Sequence, residues 1–140
     1  MKKITIKTAA IILLLFLIMG CDKYHRDRYT GNWDFVTKRN IYTFDGSEYV
    51  FDRSDTIYYS GKITSGNLEN QIIINYTEND EITASIDDDG TTVWTNYYPC
   101  ARCPSGSFEK KDKVSLNLVI YNKIYGRIND KITGRKKTNN

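Results

Sequence analysis

From Gly31 onward, apolar residues recur at every second position, and that period most constrains what this 140-residue chain can fold into. Val114, Leu116, Leu118 and Ile120 alternate with Ser115, Asn117 and Val119, and Ile82, Ala84 and Ile86 alternate with Thr83, Ser85 and Asp87. A strand points successive side chains to opposite faces, so each run can pack one face and wet the other. Tyr49 and Phe51 share a face of one run, and Thr56 to Ile63 is a separate run rich in β-branched and aromatic residues. The Ile72-Ile73-Ile74 triplet within Gln71 to Thr77 predicts a strand buried on both faces. Turns are expected at Asp45-Gly46, Ser65-Gly66, Asp89-Gly90, near Asn122-Lys123 and at Asn129-Asp130. Tyr98 to Gly106 holds both prolines and two cysteines and reads as a constrained loop. About eight to ten short strands with tight turns signal an all-β antiparallel barrel or sandwich, and closure into an up-and-down barrel is the economical way to remove exposed edges.

The leader sets the address. Lys2, Lys3 and Lys7 flank an apolar run, Ala9 to Met19, of signal-core length. That run is shorter than the ~20 residues of a membrane span. It closes on Ile18-Met19-Gly20-Cys21, which resembles the lipobox of bacterial lipoproteins, with Met19 a less usual occupant of the tolerant position. The resemblance implies that residues 1–20 are a cleaved signal peptide and that Cys21 carries the lipid that holds the chain to the membrane. The alternatives are a simple secretory signal or an N-terminal anchor. Residues 21–30 are polar and read as a tether, leaving residues 31–137 for the barrel. Asp22 resembles the inner-membrane retention signal of enterobacteria, while Lys23-Tyr24-His25 supplies no acidic surface-export tag. The expected location is the cell envelope, at the outer membrane facing the periplasm.

Without the leader, 17 basic residues balance 17 acidic ones, so net charge gives no argument for nucleic-acid binding. The charges are segregated: residues 41–90 hold eleven acids against Arg53 and Lys62, and residues 102–137 hold ten bases against Glu109, Asp112 and Asp130. Either acid-rich strands pair with base-rich ones and fix register, or the surface is bipolar and orients a partner.

Gly31-Asn32-Trp33 opens the domain and Gly134-Arg135 lies in its last run, an arrangement similar to that of lipocalins and calycins. With "YTGNWDF" and "ITGRKK", the chain resembles small lipocalin-like lipoproteins of Bacteroidota. It lacks a second lipocalin signature and the flanking helix. The resemblance implies that Trp33 plugs one barrel end with Arg135 (or Arg127) packed over it; the alternative is a plain core aromatic. It also implies a non-enzymatic barrel holding a small apolar ligand. Inward members of Tyr49, Phe51, Tyr58, Tyr59, Trp94, Leu116 and Leu118 would line the cavity, with Tyr97 and Tyr98 near the mouth. The competing reading is an interaction or envelope-assembly module with a filled core, presenting tyrosines to a protein partner. Filled core against open cavity separates the two.

Cys100-Ala101-Arg102-Cys103 lies between two prolines. In an oxidising compartment a Cys100–Cys103 disulfide is the simplest reading, with a redox dithiol or a metal site as alternatives. The one histidine, His25, lies in the tether, so no domain histidine can act as a base. Asp87-Asp88-Asp89-Gly90 lacks calcium-loop spacing and reads as a hairpin tip. Acid pairs such as Asp52/Asp55 and Asp80/Glu81 are too ordinary to mark catalysis. No cofactor, metal or catalytic constellation is expected.

Overall fold

The computed structural model describes residues 26–87, 89, 92–95, 102–122 and 126–138. Its eight strands, in chain order, are β1 (Gly31–Phe44), β2 (Tyr49–Ser65), β3 (Gln71–Asn75), β4 (Glu81–Ile86), β5 (Thr92–Trp94), β6 (Arg102–Glu109), β7 (Lys113–Asn122) and β8 (Gly126–Lys136). Each pairs antiparallel with the next, and β8 pairs antiparallel with β1 to close an up-and-down barrel.

The two-residue period sorts the side chains. Trp33, Phe35 and Thr37 of β1, Ile72 and Ile74 of β3, and Ile82, Ala84 and Ile86 of β4 are buried, as are Val114, Leu116, Leu118 and Ile120 of β7. A buried large aliphatic stabilises by about 1.5–3 kcal/mol and an exposed ion pair by about 0–1, so these inner layers hold the barrel. Ile73 is only half-buried, because a barrel wall has a single inner face.

One end is plugged by aromatics. A single 3-10 turn, Arg26–Arg28, delivers Tyr29, whose ring stacks on Phe108 at 3.8 Å between centroids. Trp33 sits 5.9 Å from Phe108 and 6.2 Å from Phe35, and its Nε1 donates to the Tyr29 carbonyl at 2.8 Å. Arg26 donates to the Leu68 carbonyl (2.7 Å) and Lys136 to the Arg28 carbonyl (2.8 Å). From Arg26 onward, the segment expected to be tether is therefore packed on the barrel; residues 21–25 lie outside the described residues. Gly134 faces Phe35 across the β1–β8 pair, where a Cβ would lie 2.7 Å from Phe35 Cε1 and 2.8 Å from Val114 Cγ1. The inward ring leaves no room for a side chain there.

Several sequence expectations are corrected. Tyr49–Phe51 and Thr56–Ile63 belong to one strand, β2, carried through Asp52-Arg53-Ser54-Asp55 by pairing with β1. Arg102 to Gly106, at the end of the expected loop, belong to β6, while residues 98–101 lie outside the described residues. Pro104 faces Leu118 of β7, and β5 pairs with β6 only at Ser107 and Gly106, so the missing N–H of the proline is tolerated. Asn129-Asp130 is mid-strand in β8, not a turn. Acid-rich and base-rich strands do not alternate: β2, β3 and β4 adjoin one another, β6, β7 and β8 adjoin one another, and β1 separates the groups on one side. The strands β2 to β4 themselves carry Asp52, Asp55 and Glu81 against Arg53 and Lys62, the other acids of residues 41–90 lying in the connections. Strands β6 to β8 carry six bases against Glu109 and Asp130. Across the β4–β5 connection, Asp87 N donates to Thr92 O (3.2 Å) and Thr92 N to Asp87 Oδ1 (3.0 Å), as a hairpin tip requires; Asp88 and Gly90 lie outside the described residues.

Strand lengths are unequal. β3 pairs only with Lys62–Ser65 of β2, so among the described residues Tyr49 to Gly61 pair with β1 alone. β2 thus outruns β3 with one edge open, while β8 flanks β1 as far as Tyr42; the far end of the β1–β2 hairpin, from Tyr42 to Phe51, is termed the arm. Its tip turns at Gly46 (φ 106°), with Asp45 Oδ1 accepting from Ser47 N (2.8 Å) and Glu48 N (2.9 Å). Those backbone N–H groups hold the Asp45 carboxyl below its ordinary pKa.

Candidate binding face on the outer wall

Beyond Thr37 the inside of the barrel holds an ionic network, with Ile41, Ile120 and Ile128 one inward step farther on. Arg39 continues the inward series Trp33, Phe35, Thr37, six residues or roughly 20 Å along β1 from the tryptophan. Its Nε and Nη2 grip Asp130 Oδ1 and Oδ2 at 2.8 and 2.7 Å, and Nη2 also reaches Asp80 Oδ2 at 2.9 Å. Tyr76 OH donates to Asp130 Oδ2 (3.3 Å), Thr77 Oγ1 donates to Asp80 Oδ2 (3.0 Å), and Arg102 lies 3.7 Å from Asp80 Oδ1. The Asp130 side chain is 0% exposed. The hydrogen bond to Asp130 raises the already high Arg39 pKa against the cost of burial, and burial raises that of Tyr76. Burial pushes the Asp80 carboxyl up, but Arg39 and Thr77 outweigh it and hold it below the ordinary range. Arg39 and Asp130 are direct neighbours across the β1–β8 pair, and Arg39 also ties that pair to Asp80 on the β3–β4 connection, so the network braces this end of the barrel. Between brace and plug, Thr37 Oγ1 is buried without a hydrogen-bond partner. No group of three potential metal ligands occurs among the described residues.

The grooves lie on the outer wall. One of about 290 Å³ is lined by Asp34, Lys113, Ser115 and Arg135, and one of about 360 Å³ by Lys38, Asn40, Asn117, Asn129 and Lys131. The pairing arranges outward residues of β7, β8, β1 and β2 in cross-strand rows. The row farthest from the plug is Tyr121–Arg127–Tyr42–Phe51; next come Val119–Asn129–Asn40–Ser54 and Asn117–Lys131–Lys38–Thr56. Arg127 lies 5.9 Å from the ring centres of both Tyr42 and Tyr121, and its Nε donates to Asn129 Oδ1 at 2.9 Å. Tyr42 meets Phe51 edge-on at 5.7 Å, Phe44 meets Tyr49 at 5.4 Å, and Tyr49 meets Tyr121 at 6.3 Å. Phe44, Phe51 and Tyr121 remain 56%, 54% and 54% exposed, a contiguous apolar patch at the base and tip of the arm.

The expected cavity-lining residues do not converge on an interior. A bulge shifts register between Ile41/Arg53 and Tyr42/Phe51, leaving Asp52 extra on β2 and switching the parity between its two ends. Tyr49 and Phe51, which strict alternation aligns with inward Ile63, therefore face outward. Tyr58 is 78% exposed, Trp94 is exposed, and Tyr59 is half-buried on the unflanked part of β2. Leu116 and Leu118 are fully packed in the core, and Tyr97 and Tyr98 lie outside the described residues. Trp33 is buried in the plug, but Arg135 is exposed on the outer wall opposite Asp34, two residues from outward Thr133. Parity forbids it from covering Trp33; inward Lys136 bonds the carbonyl at that end instead, and Arg127 belongs to the aromatic row. Cys103 is half-buried in β6, while Cys100, its expected disulfide partner, and Cys21 lie outside the described residues.

Sequence reasoning misses Arg39 and Asp130 as a pair, although the parity of each is visible. Arg39 continues Trp33-x-Phe35-x-Thr37, and Asp130 stands between Ile128 and Ile132.

No family model, curated protein or solved structure matches this chain.

Proposed function

We propose that this chain is an envelope lipoprotein whose barrel is a non-enzymatic interaction module, engaging a partner protein through the aromatic end of the β1–β2 arm. The observation that carries this reading is the contrast between a packed interior, closed by the Trp33 plug and the Arg39–Asp130 brace, and an exposed Phe44–Phe51–Tyr121 patch. Exposed tyrosines and a stacked arginine are the side chains that anchor protein interfaces. The base-rich β6–β8 strands favour orientation of an approaching partner. A small apolar ligand is the less supported reading, because Tyr49, Phe51, Tyr58 and Trp94 are exposed and Leu116 and Leu118 are packed in the core. The Lys-rich leader and Ile18-Met19-Gly20-Cys21 support lipidation at Cys21 and attachment to the outer membrane, facing the periplasm.

A photo-crosslinking side chain at Phe51, introduced in living cells, should trap one discrete protein adduct, lost when Arg127 is replaced by Glu. The same probe at Glu78, away from the arm, should trap none. Equal labelling at both sites, or none at Phe51, would exclude the arm as an interface. A Cys21→Ala chain should lose membrane association; undiminished retention would favour an uncleaved anchor.

A further inference from the structure

Lys38 of β1 and Lys131 of β8 are direct cross-strand neighbours on the outer wall. Like charges so placed repel and cost stability. Neither ammonium has an ion-pair partner among the described residues. The row runs on to Asn117 and Thr56 without a carboxylate; Asp130 also lines the groove, but its side chain is 0% exposed and held by Arg39. A second cationic pair, Lys113–Arg135, behaves differently: Glu109 lies opposite Lys113 and Asp34 opposite Arg135, so that row is neutral across four strands. Among the described residues the Lys38–Lys131 row, unlike the Lys113–Arg135 row, has no carboxylate in register with it, and it lies in the groove of about 360 Å³.

We propose that this groove binds an acidic saccharide. The two ammoniums bridge a carboxylate or sulfate on the sugar, which relieves their mutual repulsion. Asn40, Asn117 and Asn129 line the same groove, and each amide offers a donor and an acceptor to neighbouring hydroxyls. The Tyr121–Arg127–Tyr42–Phe51 row borders the amide row and presents rings to the next sugar. The groove offers neither an arginine fork nor a helix N-terminus, the usual devices for a bare phosphate. The inference shares the aromatic row with the protein-partner reading but is carried by Lys38 and Lys131, two rows away from it.

The intact chain in detergent is titrated with galacturonate oligomers, neutral galactose oligomers of equal length, inorganic phosphate and a single-stranded DNA oligomer. Calorimetry and thermal melting are the readouts. Galacturonate alone should bind, raise the Tm and weaken with added salt. Lys131→Gln should weaken binding at least about tenfold, the loss of one charge contact of ~1.4 kcal/mol, yet raise the ligand-free Tm because the repulsion is gone. Lys38→Arg should retain binding. No galacturonate binding, an equal response to phosphate or DNA, or a Lys131→Gln chain with a lowered Tm would each overturn the proposal. The Phe51 adduct should persist in Lys131→Gln, so the two readings fail separately.

Discussion

Replacing Arg39 by Met removes the guanidinium that satisfies both oxygens of Asp130, at 2.8 and 2.7 Å, and leaves a carboxylate that is 0% exposed. Only the Tyr76 hydroxyl, at 3.3 Å, still serves it among the described residues. Breaking a buried pair from one side costs about 3–5 kcal/mol, because the stranded charge keeps its desolvation penalty. The exposed Arg53–Asp52 contact has side chains 61% and 41% exposed, and Arg53→Met should cost less than about 1 kcal/mol. A loss of about 4 kcal/mol moves a urea midpoint by about 2–3 M at an m-value of about 1.5 kcal/mol/M. Fluorescence of the plug tryptophan Trp33 tracks the transition. Arg39→Met/Asp130→Leu should recover most of that loss, since a well-packed apolar pair replaces a buried ionic one at little cost. A further Tyr76→Phe removes the hydroxyl left without its acceptor. An Arg39→Met protein within about 1 kcal/mol of the parent would refute the brace. So would a double variant no more stable than the single.

Other consequences are as direct. Thr37→Val removes a buried hydroxyl that has no partner and should stabilise by about 1 kcal/mol, read as a raised urea midpoint; a loss would show that the hydroxyl is bonded. Gly134→Ala drives a methyl to 2.7 Å from Phe35 and should cost about 1–3 kcal/mol by the same assay, whereas an unchanged midpoint would mean the ring can shift. Asp80 is held below its ordinary pKa, so the unfolded chain binds more protons than the folded one in acid. Its stabilisation should be present above about pH 4 and fade as pH falls through the lower folded value, and Asp80→Asn should flatten that part of an acid titration. Tyr121→Ser should leave stability within about 0.5 kcal/mol while reducing the Phe51 crosslink; a large loss of stability would make the patch structural.

The barrel was legible because a strand wall has one inner face, and Val114-x-Leu116-x-Leu118-x-Ile120 states which face without help from any other segment. Strand ends were less legible. Asp52-Arg53-Ser54-Asp55 and Asn129-Asp130 are locally turn-like, yet both lie within strands because long neighbours bond them on through. The bulge at Asp52 leaves no local trace, and that one extra residue turns Tyr49 and Phe51 from cavity candidates into an outer patch. Arg135 failed as the tryptophan's partner for a similar reason: its neighbour Gly134 is inward, so the arginine cannot be. The outer rows were not legible at all, since Lys38 and Lys131 become neighbours only when β8 closes on β1.

The central claim is that the barrel works from its outside because its inside is full. Native mass spectrometry of the chain purified from its source cells tests this most directly. The expected spectrum is the chain with its covalent lipid and no small apolar molecule retained, whatever protein or glycan accompanies it. A reproducible extra mass that denaturation releases, and that proves to be an apolar compound, would contradict the claim and return function to the interior.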